Sequence, residues 1–466
     1  MQKSLTVCFL ESQTLLVLIL RLFIPSIGNP PEIEEISLFS LILIILCFSI
    51  FQILYNCCLE MKSASIFQKL KPVCVPLVKN GNRKNLEMFL HIMKDLSTDS
   101  IQEQSLFEYA LFPFKLILQQ KHLNDNEEIL YFDCISALFY KSTSTVVDYK
   151  TVIWIFNRFS IYFTPKDIFN QQSNDETKDS EAVLSKPSQK SEEQKISTLT
   201  MLESILNKID LNVIEEVYKE IKNLPLIGHV ISIVLKFIES ENNKLLLVKA
   251  ISCLHLMCGK LFKSKTIADT VSSFFPGIAL AMNTFFTTNS NQSTKLMTPT
   301  LEMFGDVACS VLNDTDMPKS QKLTLENLQF AFIQKKTSDE EEKPPNEDAN
   351  KGNLLIERDS KWYENTSAHI KTILDNILPI IMMHDNIKTR LAVIQFVDSL
   401  LTNCLVALKS SVPAMLDTLA KFLSDPYEEA RTKSQDILLT SADSLKRNGK
   451  PFFERKFYFT TGFSLL

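Results

Sequence analysis

SAHIKTILDNILPIIMMHDNIKTRLAVIQFVDSLLTNCLVALKS, residues 367–410, runs straight into SVPAMLDTLAKFLSDPYEEARTKSQDILLTSADSL, residues 411–445. The pair reads as one helical hairpin written twice. In the first copy Ile370, Ile373, Leu374, Ile377, Leu378 and Ile381 recur at helical spacing and share one face. A polar turn comes next at Met383 to Asn386. Ile387, Leu391, Ile394, Leu401, Leu405 and Leu408 then mark a second helix. The second copy opens with Val412, Met415, Leu416, Leu419 and Leu423. It turns at Ser424-Asp425-Pro426 and resumes with Ala430, Ile437, Leu438 and Leu445.

Leu378 aligns with Leu419 and Arg390 with Arg431, both at an offset of 41 residues. Helix pairs of about 40 to 47 residues are the period of HEAT and armadillo repeats. Two polar marks recur with the hydrophobic ones: Asp385 with Arg390, and Asp425 with Arg431. Each Asp is expected to cap the second helix of its pair. Pro426 suits the first helical turn, where a missing N–H is harmless. Each Arg is expected to reach the Asp of a neighbouring turn and build a ladder. Two amphipathic pairs of a closed bundle would give no reason for both marks to recur. The expected fold is therefore all-α, a HEAT/ARM-like α-solenoid of stacked antiparallel helix pairs.

The bulk numbers agree. With 466 residues, 45% hydrophobic and 22% charged, the chain has ordinary folded composition. Net charge is −5 and no basic stripe stands out, which argues against nucleic-acid binding. Ten cysteines are scattered without paired spacing, as expected of reduced thiols. Nine glycines in 466 residues are too few and too dispersed for a GxGxxG or GxxxxGK phosphate loop.

Residues 1–63 differ from the rest of the chain. Ile36 to Leu54 carries no charge over 19 residues, near the length that spans a bilayer. Glu32, Glu34 and Glu35 precede it, and Lys62, Lys69 and Lys71 lie beyond it. As a single-pass span it would leave the C-terminal bulk in the cytosol. A mis-assembled gene start is the competing reading. From there the chain divides into helical-repeat regions at 64–166 and 196–334. A polar linker at 167–195, expected to be disordered, separates them. An acidic loop at 335–353, also expected to be disordered, precedes the repeat pair at 354–449. Pro113, inside the apolar run Ser105 to Leu118, is expected to kink or end its helix. The tail at 450–466 has aromatics without helical period. Solenoids need polar end repeats, so the sequence is expected to be part of a longer protein.

Four stretches, in order, carry a resemblance: Leu70-Lys71-Pro72-Val73-Cys74; Leu111-Phe112-Pro113-Phe114; Phe274-Phe275-Pro276-Gly277-Ile278; and Arg358-Asp359 with Trp362 ahead of the repeat pair. Over about Phe67 to Arg447 the chain resembles the N-terminal part of the TELO-two-interacting protein one family. That resemblance implies an all-helical, non-catalytic scaffold of the triple-T co-chaperone complex, formed with two other helical-repeat subunits. It implies work with the heat-shock-ninety chaperone and its RuvB-like adaptor. The clients would be phosphatidylinositol-3-kinase-related kinases, among them the TOR and DNA-damage kinases, in cytoplasm and nucleus. The family's lack of a membrane anchor favours the gene-start reading of residues 1–63. A transport receptor, a phosphatase scaffold or a membrane-anchored scaffold are the alternatives.

Each residue that could carry chemistry also has a plainer role. Cys253, His255 and Cys258 contain metal-ligating types. Their helical spacing puts the two thiols on different faces, and a fourth ligand is missing, so buried small hydrophobes are the better reading. His384-Asp385 lies in an inter-helix turn and reads as capping rather than an acid–base pair. Neither an enzyme nor a cofactor is expected. Cys57-Cys58 would suit acylation beside a real membrane span. Ser338, ahead of Asp339, Glu340 and Glu341, would suit an acidophilic kinase, although a solvated acidic loop explains it as well.

Overall fold

The computed structural model describes residues 62–120, 123–164, 190–259, 264–288, 293–317, 356 and 358–448. The chain forms two compact units, Met1–Ile66 and Phe67–Leu466. The apolar run Ile36 to Leu54, Cys57-Cys58, the acidic loop 335–353 with Ser338, and the tail 450–466 all lie outside the described residues, as does most of 167–195.

Among the described residues the second unit is helical, without a strand. Helix α1 covers 62–79. One row then consists of α2 (Arg83–Asp95), α4 (Asp125–Lys141), α6 (Glu192–Leu206), α9 (Lys244–Cys258), α12 (Thr294–Val311), α14 (Ile387–Asn403) and α16 (Glu428–Asn448), each packed on the next. The facing row is α3 (Gln104–Gln120), α5 (Tyr149–Phe163), α8 (Leu224–Ser240), α11 (Phe275–Thr288), α13 (Ser360–Ile381) and α15 (Val412–Phe422). From α5 onward each of these also packs on the next. Two short helices, α7 (Leu211–Lys219) and α10 (Lys265–Ser272), pack on each other; α7 also rests on α5 and α10 on α12. The result is a linear two-layer α-solenoid.

Local sequence starts these helices. Side chains of Asn82, Asn124, Asp148, Ser191, Asn243 and Asp359 each accept a backbone N–H from their helix's first turn. Each such cap is worth about 1 kcal/mol. What holds the helices together is apolar burial between neighbours. Helix α9 shows why: Leu246, Leu247, Ala250, Ile251, Cys253, Leu254, Leu256, Met257 and Cys258 are all buried. These positions go right round the helix, which suits an element enclosed by α6, α12 and α8. Helix α8, with the turn before it, is long and apolar enough to cross a membrane by composition. Here Ile227, Val230, Ile231, Val234 and Phe237 are instead buried in the solenoid.

Several expectations need correction. Helix α3 runs through Pro113 without ending, and α12 and α13 likewise contain Pro299 and Pro379. Packing of flanking residues such as Leu111 and Phe114, both fully buried, offsets the lost backbone bond. The linker 167–195 ends earlier than expected. Ser191 and Gln194 form a reciprocal capping box, and α6 begins at Glu192. Helix α13 starts at Ser360, well before the repeat read from Ser367, because Asp359 caps it. Helix α14 stops at Asn403, so Leu405 and Leu408 belong to the turn beyond it. Pro426 precedes α16, which begins at Glu428, instead of occupying its first turn.

Successive helices of the main row come close together at α12 and α14. Phe304 stacks on Phe396 with ring centroids 5.7 Å apart. A side chain at Gly305 would bring its Cβ within 3.1 Å of the Phe396 ring. Phe396→Ala should therefore lower stability by about 3–5 kcal/mol. Urea denaturation followed by far-UV circular dichroism measures this. A loss under about 1 kcal/mol would mean that the α12–α14 step is not a packed core.

Candidate interaction surface

The repeat pair makes its own polar signature. Arg390 Nη1 donates to the carbonyls of His384 (2.9 Å) and Asp385 (3.3 Å). Forty-one residues on, Arg431 Nη1 donates to those of Asp425 (2.7 Å) and Pro426 (3.0 Å). Each arginine thus ties down the turn of its own pair by reaching back from the first turns of the second helix. Arg390 also crosses to the next pair: its Nε lies 3.0 Å from Asp425 Oδ2. Only 11% of the arginine side chain and 6% of the aspartate side chain are exposed. The Nε–H is not directed along that line, so the contact is an ion pair rather than a hydrogen bond, and Nη2 is buried without a partner. The guanidinium instead lies 5.2 Å over the Tyr427 ring.

The structure corrects the reading of Asp385. It is exposed, and Asn386 caps α14 by accepting the Lys388 N–H. Asp385 and Asp425 are therefore not equivalent. Asp425 is not the N-cap either, since α16 begins at Glu428; it is buried and accepts from Tyr427 N at 2.9 Å in the turn before that helix. The difference is the neighbour: Asp425 faces Arg390, whereas Asp385 faces solvent. His384 is a turn former, its Nδ1 accepting the Asn386 N–H at 3.0 Å.

Similar polar contacts recur at successive steps of the row. Ser197 on α6 donates to Asp133 on α4. Lys249 and Ser252 on α9 both reach Glu203 on α6. His255 Nε2 lies 2.8 Å from Asp306 Oδ2 on α12. A larger junction ties the short helix α10 to the start of α13. Arg358, with its side chain 4% exposed, contacts Asp269 Oδ1 at 2.6 Å and Asp316 Oδ2 at 3.2 Å. It also donates to the Val311 carbonyl at 2.8 Å. The motif Arg358-Asp359 is therefore a clamp joined to a helix cap. Its partners are distant in sequence, so no spacing rule exposes them.

Cys253, His255 and Cys258 do not converge. Cys253 Sγ donates to the Leu199 carbonyl on α6, while His255 turns to α12. Burial raises the Cys253 thiol well above its usual range and pushes the Cys258 thiol up to about 12. Both are neutral at physiological pH. Among the described residues no three His, Cys, Asp or Glu side chains are grouped to hold a metal.

What remains exposed is suited to contact. Met383 in one turn is 76% exposed and Tyr427 beside the next is 49% exposed. The Arg390 guanidinium, bonded to the His384 carbonyl and lying over Tyr427, joins the two turns into one edge. Met, Tyr and Arg are the residue types that protein interfaces favour.

The model of the TTI1 N-terminal TPR domain matches residues 67–426. The chain belongs to the TTI1 family. It is 23% identical over 396 residues to the TELO2-interacting protein 1 homolog of Mus musculus, covering 81% of this chain and 32% of that protein. With the Homo sapiens homolog it shares 23% identity over 393 residues, again 81% of this chain and 32% of the relative. The chain thus spans about a third of the length of these relatives. The matched region opens at Phe67, where the second compact unit begins. The family's domain is described as TPR, and this chain is a stack of antiparallel helix pairs. In its final pairs the period of 41 residues exceeds the 34 or so of a typical TPR.

Two outcomes are expected. In a double-mutant cycle, Arg390→Gln and Asp425→Asn should be coupled by about 1 kcal/mol or more, because the pair is nearly buried. Additive losses in chemical denaturation would mean the two turns are not joined through this contact. In native-state alkylation with iodoacetamide at pH 8, Cys253 and Cys258 should stay unmodified until urea unfolds the chain. Rapid modification of either would show that α9 is not enclosed.

Proposed function

We propose that this TTI1-family chain is a non-catalytic scaffold subunit of the triple-T co-chaperone complex, supporting maturation of phosphatidylinositol-3-kinase-related kinases. The observation that carries the reading is the family match over residues 67–426, together with a linear two-layer helix stack that offers long side faces and a turn edge. Such stacks bind other proteins along extended surfaces and need no cofactor. The relatives are named for interaction with TELO2. A TELO2-type helical-repeat protein is accordingly the first partner proposed, with a second triple-T subunit beside it. The heat-shock-ninety chaperone with its RuvB-like adaptor is the proposed machinery, and the TOR and DNA-damage kinases the proposed clients. Cytoplasm and nucleus are the proposed compartments. Membrane attachment through Ile36 to Leu54 is the alternative.

The test is affinity capture of the tagged full chain from its own cells, with mass spectrometry of the captured proteins and measurement of kinase abundance after depletion. Recovery of a TELO2-type protein, with loss of kinase-related clients on depletion, is expected. Recovery of transport cargo or phosphatase subunits instead, with client levels unchanged, would overturn the proposal.

A further inference from the structure

Two cysteines that the scaffold reading leaves unused meet where α12 joins the end of α14. Cys309 lies in the last turn of α12, and Cys404 follows α14 directly as its C-terminal cap. They are brought together reciprocally. Ala308, the residue before Cys309, places its carbonyl 3.8 Å from Cys404 Sγ. Asn403, the residue before Cys404, places Nδ2 3.8 Å from Cys309 Sγ. Cys309 Sγ also donates to the Ser399 carbonyl, one turn back on α14, at 3.4 Å.

The backbone around this point is held still. Asp314 N donates to the Asn403 carbonyl at 2.9 Å. The Asp314 carboxylate accepts the Val406 N–H at 2.9 Å and the Ala407 N–H at 2.9 Å. The segments that carry the two sulfurs are therefore fixed against each other. Cys404 is fully buried while Cys309 is partly exposed, which sets an order of access.

We propose that Cys309 and Cys404 are an oxidation site, forming a reversible disulfide that staples α12 to the α14–α15 turn. The oxidant is hydrogen peroxide. The Cys309 thiolate attacks one peroxide oxygen and breaks the O–O bond. That yields a sulfenic acid on Cys309 and one water after proton uptake. Cys404 sulfur then attacks the Cys309 sulfur, loses its proton and expels the hydroxyl as a second water. Two thiols and one peroxide thus become one disulfide and two waters. A dithiol reductant reverses the change by exchange. Contact with Cys309 and burial hold the Cys404 thiol well above its usual range. This assigns first attack to Cys309 and resolution to Cys404. Among the described residues the other cysteines are free thiols, and in such a setting the bond is transient and regulatory in kind.

The experiment treats the full chain with hydrogen peroxide, blocks remaining thiols with iodoacetamide and maps peptides by mass. The expected product is one linked peptide pair containing Cys309 and Cys404, lighter by two hydrogens and restored by dithiothreitol. Thermal unfolding of the oxidised chain should move upward and return on reduction. In Cys404→Ser, Cys309 should instead accumulate as a sulfenic acid trapped by dimedone. Recovery of both cysteines separately alkylated after peroxide, or linkage of either to a different cysteine, would overturn the proposal. So would Cys309 oxidising to sulfinic acid in the unaltered chain without linkage.

Discussion

The structure depends on one constraint: a helix pair of this chain cannot bury its apolar stripe alone. Each interior helix of the main row, from α4 to α14, uses one side against the preceding helix, another against the succeeding one, and a third against the facing row. Helix α9 is the fullest case, buried nearly all round between α6, α12 and α8. At roughly 25 cal/mol per Å² of apolar surface removed from water, this burial is the dominant favourable contribution. Conformational entropy of similar size opposes it. The stack therefore extends by adding neighbours, and its sides remain free for other proteins.

Polar contacts set the register of that stack. An apolar stripe alone would tolerate sliding of one helix along the next. The Ser197–Asp133, Glu203–Lys249 and His255–Asp306 contacts each join one row element to the next at a fixed position, and Arg390–Asp425 joins α14 to the turn before α16. Exposed pairs of this kind contribute little to stability. The nearly buried ones matter differently, because breaking them strands a charge away from water. Arg358 is the strongest instance, with its guanidinium enclosed by two carboxylates and a carbonyl from three segments.

Much of the fold is legible because helix formation and amphipathicity are local. The positions Ile370, Ile373, Leu374, Ile377, Leu378 and Ile381 are readable from spacing, and all are buried. The errors cluster where a local rule is outweighed. Pro113 reads as a kink or an end, and of these the end does not occur, because packing of Leu111 and Phe114 carries the helix on. The start of α6 is hard to place because its capping box sits inside a polar stretch. The site is less legible than the fold. The turn arginines can be paired with each other by period. That Asp425 is buried while Asp385 is exposed depends on which of the two carboxylates Arg390 meets.

The sequence alone determined that this chain is helical, repetitive and without a GxGxxG or GxxxxGK motif, because those properties reside in spacing and composition. It also carried enough of the TTI1 pattern to indicate the family. The tertiary structure decided which helix neighbours which, how Arg358 finds Asp269 and Asp316, and that Cys309 meets Cys404. These partners are 42 to 95 residues apart in the chain. No local rule links such positions, and only the folding of the helices against one another brings them together.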